Sequence, residues 1–311
     1  MSKDVNNMTV RVKVPASTAN LGPGFDTLGM AFQLYSTITM RFAEKTEIRL
    51  IGEELQELPV DKTNLVYEVA AGLFAKANLP EPELYIEIET EAPLTRGLGS
   101  SASAIVGALA GANVLAGEPF THDQLFEMAS WLEGHPDNVG ASVFGGFVVA
   151  TLPKDESQPI PYVTFPVPKT LKTLVVIPDY WLATHKARGV LPEVYTKADV
   201  IYNVGHSSLL VAALAQGRLD LLASAMQDRM HQPYRAPLVP GLAEMLAEAT
   251  AHGALGAALS GAGPTTLFFY ENEQQEQELR SFIAAVMARH ELSYELMELL
   301  IDEQGVQIET V

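Results

Sequence analysis

A chain of 311 residues exceeds one small module, so it folds as one large domain or as two of about 150 residues each, with a substantial core either way. Its formal net charge of −18 disfavours nucleic acid and anionic membranes as partners, while leaving room for a local positive pocket that takes a small anion. With no cysteine, disulfides, thiolate metal sites and a cysteine nucleophile are excluded, and a reducing, cytoplasmic location is compatible.

The opening MSKDVNNMTV lacks the apolar core of a signal peptide. Residues 8–14, 33–42 and 84–90 alternate apolar and polar side chains, which predicts strands with one wet face. Leu65, Val69, Leu73 and Ala77 recur near helical spacing between Asn64 and Asn78. The stretch Ala102 to Ala116 is apolar but too short to span a bilayer, and reads as a buried helix. Thr121 is a plausible cap for a helix to Leu132 carrying Leu125, Met128 and Leu132 on one stripe. Residues 153–168 hold five prolines among polar residues, opposing both helix and central strand, so a domain crossing is expected there, with domains 1–165 and 166–311. Beyond it the pattern predicts a strand at 171–177, helices at 197–215, 218–230 and 241–251, strands at 255–259 and 265–270, a helix at 273–290 and a terminal VQIETV strand. This order is that of a second α+β layer structure.

The segment PLTRGLGSSASA, from Pro93, places Gly97, Gly99 and three serines before the buried helix. A glycine turn feeding a helix exposes unpaired N–H groups at the positive end of the helix dipole, a site for phosphate. The plainer alternative is a tight turn with Ser100 as N-cap. A Walker loop fails because no lysine follows Gly99. Gly97, Gly99 and Ala102 satisfy a G-x-G-x-x-A dinucleotide pattern with Glu118 downstream. Against it stand the Pro-Leu-Thr-Arg lead-in, the alternating strand before it and the proline that follows Glu118.

Three motifs in order, PASTANLGPGFDTLG (Pro15 to Gly29), P-x-x-x-G-L-G-S-S-A (Pro93 to Ala102) and SGAGPT (Ser260 to Thr265), resemble those of the GHMP small-molecule kinases. EGHPDNVGASVFGGF (Glu133 to Phe147), T-H-K-A-R (Thr184 to Arg188) and the Arg235 segment are similar to the branch that phosphorylates the amino acid L-homoserine. The resemblance implies an α+β, two-domain architecture, ribosomal-protein-S5-like then ferredoxin-like, with the active site in the cleft between. It implies ATP plus L-homoserine giving ADP plus O-phospho-L-homoserine in threonine synthesis, with Mg²⁺ and a homodimer.

Carried onto this sequence, the resemblance assigns Pro93, Leu94, Thr95, Arg96, Gly97, Leu98, Gly99, Ser100, Ser101, Ala102 and Ser103 to the ATP loop, with Asn64 near the base. It assigns Glu127 and a loop serine, Ser100 or Ser101, to the metal, Glu133 being a second carboxylate that could instead orient His135. Asn20, Asp26, His135, Arg188 and Arg235 become substrate contacts, the two arginines forming carboxylate forks. Asn138 stands where related mevalonate and galactose kinases place an aspartate base. An amide cannot take a proton at neutral pH, so catalysis by alignment and charge stabilisation is expected, with Asp26 and Thr184 orienting the hydroxyl and Asp137 the alternative base. Taken without the family, Glu127, Arg188 and Arg235 read as surface groups, His135 as structural, and Asn20 with Asp26 as an Asx-stabilised turn. The rival functions are another GHMP kinase acting on an isoprenoid acid or sugar, a catalytically dead relative, and an NAD-dependent dehydrogenase.

Overall fold

The computed structural model describes residues 8–311. The opening MSKDVNN, part of the signal-peptide reading and of the 1–165 span, lies outside the described residues. Two sheets organise the rest. The first contains β1 (Val10–Asn20), β2 (Gly24–Phe42), β3 (Glu47–Ile51), β4 (Leu84–Thr90), β5 (Phe147–Ala150), β6 (Tyr162–Phe165) and β11 (Gln307–Thr310). Its main path runs β11-β1-β2-β4-β3, and β5 pairs with the near end of β2 and with β6. The second sheet runs β10 (Tyr294–Leu299), β7 (Lys172–Pro178), β9 (Thr266–Tyr270), β8 (Gly256–Leu259).

Helices α1 (Leu65–Lys76), α2 (Ser100–Leu115), α3 (His122–Glu133) and α4 (Asp137–Phe144) layer onto the first sheet, with α2 lying on β1 and β2 and flanked by the other three. Helix α2 is buried almost all round, which explains an Ala- and Gly-rich sequence with no polar stripe. Thr121 caps α3 in a reciprocal capping box with Gln124. On the other side of the molecule α5 (Thr184–Gly189), α6 (Lys197–Ala215), α7 (Leu222–Ala225), α8 (Gln232–Arg235), α9 (Leu242–Glu248) and α10 (Glu273–Arg289) accompany the second sheet.

Several elements depart from the sequence pattern. Strand β2 begins at Gly24, nine residues before the alternating stretch, because Leu28 to Phe32 are buried throughout and leave no period to read. Helix α4 was hidden for the same reason, being buried from Asp137 to Val143. The predicted helix at 218–230 is a 3₁₀ turn followed by the single turn of α7: the Asp228 carboxylate accepts from the N–H groups of Met230, His231 and Gln232 and starts α8 instead. The proline-rich tract accommodates β6 in its proline-free stretch 162–165. The terminal strand does not join the second layer but pairs antiparallel with β1, Val10 opposite Thr310.

Candidate active site

The C-terminal end of β1, the start of β2, the loop before α2, the start of α4, α5, α8 and the turn after β8 converge on one cavity of about 110 Å³. It is lined by Asn20, Asp26, Gly97, Gly99, Ser100, Ser101, Glu133, His135, Asp137, Asn138, Thr184, Arg188 and Arg235. A second, more apolar cavity of about 350 Å³ shares Thr95, Ser100 and Ser101 with it and continues over Ile38, Leu55, Pro59, Asn64, Leu65 and Ile88. The glycine loop therefore separates a polar chamber from an apolar one.

Helix α2 starts after Gly99, which is in the left-handed conformation at φ +70°, and no side chain caps it. Ser100 is thus the first helical residue rather than the cap, and the helix's opening N–H groups are left for a ligand, as the phosphate reading requires. The loop is pinned from both halves of the molecule. Ser17 N–H donates to the Leu98 carbonyl at 3.1 Å, and Ser260 Oγ donates to the Gly97 carbonyl at 2.6 Å. Gly97 has φ +84°, and a Cβ there would lie 2.3 Å from the Ser260 carbonyl oxygen, so any side chain would force the two halves apart. The SGAGPT turn thus supports the loop. Arg96 does not reach into either chamber: its guanidinium bridges Glu54 and Asp179 at 3.3 Å each, tying the loop to both sheets. Leu98 and Ala102 are core, Pro93 is buried, and Ser103 bonds the Ser100 carbonyl. Asn64 lines the apolar chamber but spends its amide as the α1 cap, accepting from Val66 N–H and donating to the Pro59 carbonyl.

The polar chamber is made of charge. The NLGPGFD turn holds Asn20 at φ 71° and Asp26 at φ 55°, left-handed values that cost free energy in non-glycine residues and persist because the surroundings fix them. Asn20 accepts from the Asp26 N–H and donates to the Gly261 carbonyl, so one amide joins the turn to the second half of the chain. Arg188 meets Asp26 with both prongs, at 2.7 and 3.0 Å. Arg235, only 2 % exposed, has no carboxylate partner among the described residues: it donates to the Ala187 and Gly261 carbonyls and approaches His231 Nδ1 at 3.4 Å. His231 Nε2 lies 2.7 Å from the Gly22 carbonyl, so it carries the proton and leaves Nδ1 as an acceptor for Arg235. The Phe25 ring stands 5.4 Å from the Arg188 guanidinium and 5.3 Å from that of Arg235, a cation–π face for both.

These surroundings act on the titrating groups. Burial, then the neighbouring Arg188 charge, pushes the Arg235 guanidinium down to about 10. Burial would lower Arg188 too, but its hydrogen bonds to Asp26 hold it above its usual value. Burial likewise opposes the charged form of His135, yet the Asp137 carboxylate at 2.7 Å, with Glu133 and Asp26 beyond it, raises the imidazole above its ordinary range. Asp137 is committed to His135 and to the Asn138 N–H, so its carboxylate orients the imidazole.

Of the residues singled out from the sequence, Asn20, Asp26, His135, Asn138, Thr184, Arg188, Arg235, Gly97, Gly99, Ser100 and Ser101 come together. Glu127 does not line this cavity. It faces a groove between α1 and α3 that shares Leu65 with the apolar chamber, and this half-buried carboxylate has no hydrogen-bond or ion-pair partner among the described residues. Glu133, at the end of α3, is in the cavity, accepting from Ser101 Oγ at 2.9 Å. Among the described residues no group of three or more His, Asp or Glu side chains closes round a metal. Sequence reasoning missed Ser17, Phe25 and His231; of these, Ser17 and Phe25 sit inside the PASTANLGPGFD motif, whose serine and aromatic were the available signal.

Comparison with known proteins adds to this geometry. The profile described as GHMP kinases N terminal domain matches residues 64–146, and that described as GHMP kinases C terminal matches 210–289. A homoserine kinase of Deinococcus radiodurans is 46 % identical over 309 residues, covering 99 % of each chain. One from Desulfitobacterium hafniense is 40 % identical over 96 % of this chain and 99 % of its own. Among solved structures, a homoserine kinase from Cytophaga hutchinsonii superposes with a TM-score of 0.84 at 27 % identity, over 99 % of this chain and 98 % of that one.

Proposed function

The chain belongs to the GHMP kinase family, and from that premise we propose that it transfers the γ-phosphoryl group of ATP to the side-chain hydroxyl of L-homoserine, giving O-phospho-L-homoserine in threonine biosynthesis. The observation that carries the acceptor is Arg235, a buried guanidinium facing the cavity without a carboxylate partner among the described residues. A substrate carboxylate supplies the missing anion, and Arg188 closes on it from α5. The substrate ammonium goes to Asp26, which already faces that side, and Thr184 with Asn20 holds the hydroxyl toward the glycine loop.

ATP fits the two chambers in sequence, with its base in the apolar one, beside the Asn64-capped start of α1, and its phosphates on the uncapped N-terminus of α2. The oxygens of Ser100 and the unpartnered Glu127 carboxylate are hard donors suited to Mg²⁺, which keeps most of its waters and phosphate ligands and needs few protein groups. When bound, Mg²⁺ neutralises phosphate charge. Glu133 then keeps Ser101 in place. The chain's own contribution is alignment: loop N–H groups collect the equatorial oxygens, the arginines fix the acceptor, and the hydroxyl proton leaves late to phosphate or water.

The homodimer reading draws on α6, which reaches the length and hydropathy of a membrane span yet buries Asn203, Leu210, Ala213 and Leu214 against its own subunit. Val200, Ile201 and Val204 stay exposed on its other side, an apolar face suited to a second copy in a cytoplasmic protein. Light scattering of Ile201→Glu should report monomer where the unmodified chain reports dimer.

The function is tested by coupled ADP release with L-homoserine, mevalonate, galactose or no acceptor. Turnover with homoserine alone is expected. Equal turnover with mevalonate or galactose would reassign the acceptor, and none with any would leave a non-catalytic relative.

A further inference from the structure

The kinase reading leaves open what sets the orientation of Asn138, the amide that stands beside the loop in place of an aspartate. Its side-chain carboxamide has two ends with opposite chemistry, an oxygen that only accepts and a nitrogen that only donates. Ser17 lies directly behind it on β1, wholly buried, with its Oγ donating to Asn138 Oδ1 at 3.0 Å. The reverse orientation is disfavoured by what Ser17 could then do. Its other hydroxyl neighbour among the described residues, Ser142 Oγ, is 3.5 Å away, at the outer limit of a hydrogen bond. A flipped amide would leave a buried serine proton with no good acceptor, at a cost of about 1–3 kcal/mol.

With the oxygen held at the back, the Asn138 Nδ2 group faces the cavity, where it has no protein partner among the described residues. The phosphate loop is fitted to the same pair. A Cβ on Gly99 would lie 2.1 Å from Ser17 Oγ and 3.1 Å from Asn138 Oδ1, and the Ser17 N–H holds the Leu98 carbonyl at 3.1 Å. One serine thus registers the loop backbone and the amide against each other.

We propose that Ser17 is a positioning residue that locks the Asn138 carboxamide with its N–H donors turned to the transferring phosphoryl group. The proposal rests on the kinase reading. In that orientation Asn138 supplies no acceptor to the substrate hydroxyl, and it serves by donating to charge that gathers on the phosphoryl oxygens.

The test is a double-mutant cycle read in kcat and in KM for ATP and for homoserine. Ser17→Ala is expected to lower kcat by about 10- to 100-fold while each KM moves by less than about twofold, because the amide loses its lock rather than a ligand contact. In an Asn138→Ala background the same Ser17→Ala change is expected to cost less than about twofold, since nothing is left to orient. Ser142→Ala should leave kcat unchanged. Independent, multiplicative losses from Ser17→Ala and Asn138→Ala would overturn the proposal, as would a loss confined to KM. If Ser17→Ala fails to fold, Ser17→Cys keeps the volume with a weaker donor and should show a smaller fall in kcat that again disappears in the Asn138→Ala background. Absence of ADP formation with homoserine in the unmodified enzyme would instead defeat the kinase reading before any variant is made.

Discussion

The two chambers either side of the glycine loop differ in what they offer a ligand. On the apolar side the walls are Ile38, Leu55, Leu65 and Ile88, and the shared polar rim is the start of α2, Ser100 and Ser101, set by the left-handed φ of Gly99. On the polar side Asp26, Glu133, His135, Asp137, Arg188 and Arg235 crowd a space of about 110 Å³. The first offers shape and aligned peptide dipoles, which depend on main-chain conformation. The second offers charge complementarity, which depends on particular side chains and on their burial. In a protein of net charge −18, the buried guanidinium of Arg235 and the half-buried one of Arg188 make a local positive spot suited to a carboxylate.

Variants that strike one chamber and spare the other sharpen this contrast. The largest effect is expected from Arg235→Ala: kcat/KM for homoserine falls about 10³-fold, while the KM for ATP stays within about twofold in steady-state kinetics. A matching rise in the ATP KM would break the division. Next, Gly97→Ala meets the Ser260 carbonyl and a left-handed φ, so the KM for ATP should rise about 10²-fold with little change in homoserine affinity by calorimetry. Glu127→Gln is expected to raise the Mg²⁺ concentration for half-maximal rate roughly tenfold, and Glu133→Gln by less, as Glu133 is already bonded to Ser101. The reverse order would move the metal into the acceptor chamber.

The smallest effect is a pH dependence of stability. Because His135 binds its proton more tightly folded than unfolded, its contribution is full below the unfolded value of about 6.5 and is lost as pH rises through the folded value. Thermal melts should therefore show His135→Asn losing stability relative to the unmodified chain mainly on the acid side, with the two converging above that range.

Elements with one wet face were legible. Strand β4 falls at 84–90 as its alternation predicts, and Thr121 begins α3. Fully buried elements were not: α4 and the first part of β2 contain small or uniformly apolar residues, so neither period appears. In the site, the motifs pointed to the loop, the NLGPGFD turn and both arginines, but not to how they meet. The Arg188–Asp26 fork joins residues 162 apart, and the burial of Arg235 depends on α8, Phe25 and the SGAG turn together. Without that context an arginine reads as a surface group. Likewise Asn64, an attractive nucleotide contact in sequence, is largely consumed by holding the start of its helix.

The pairing of β11 with β1 has a consequence for biogenesis. Residues 307–310 leave the ribosome after every other strand of the first sheet, so during synthesis β1 carries a bare margin of peptide groups that only those late residues cover. Until then the nascent first sheet presents a template for stray strands, and the pairing of residues 307–310 is what closes it to aggregation.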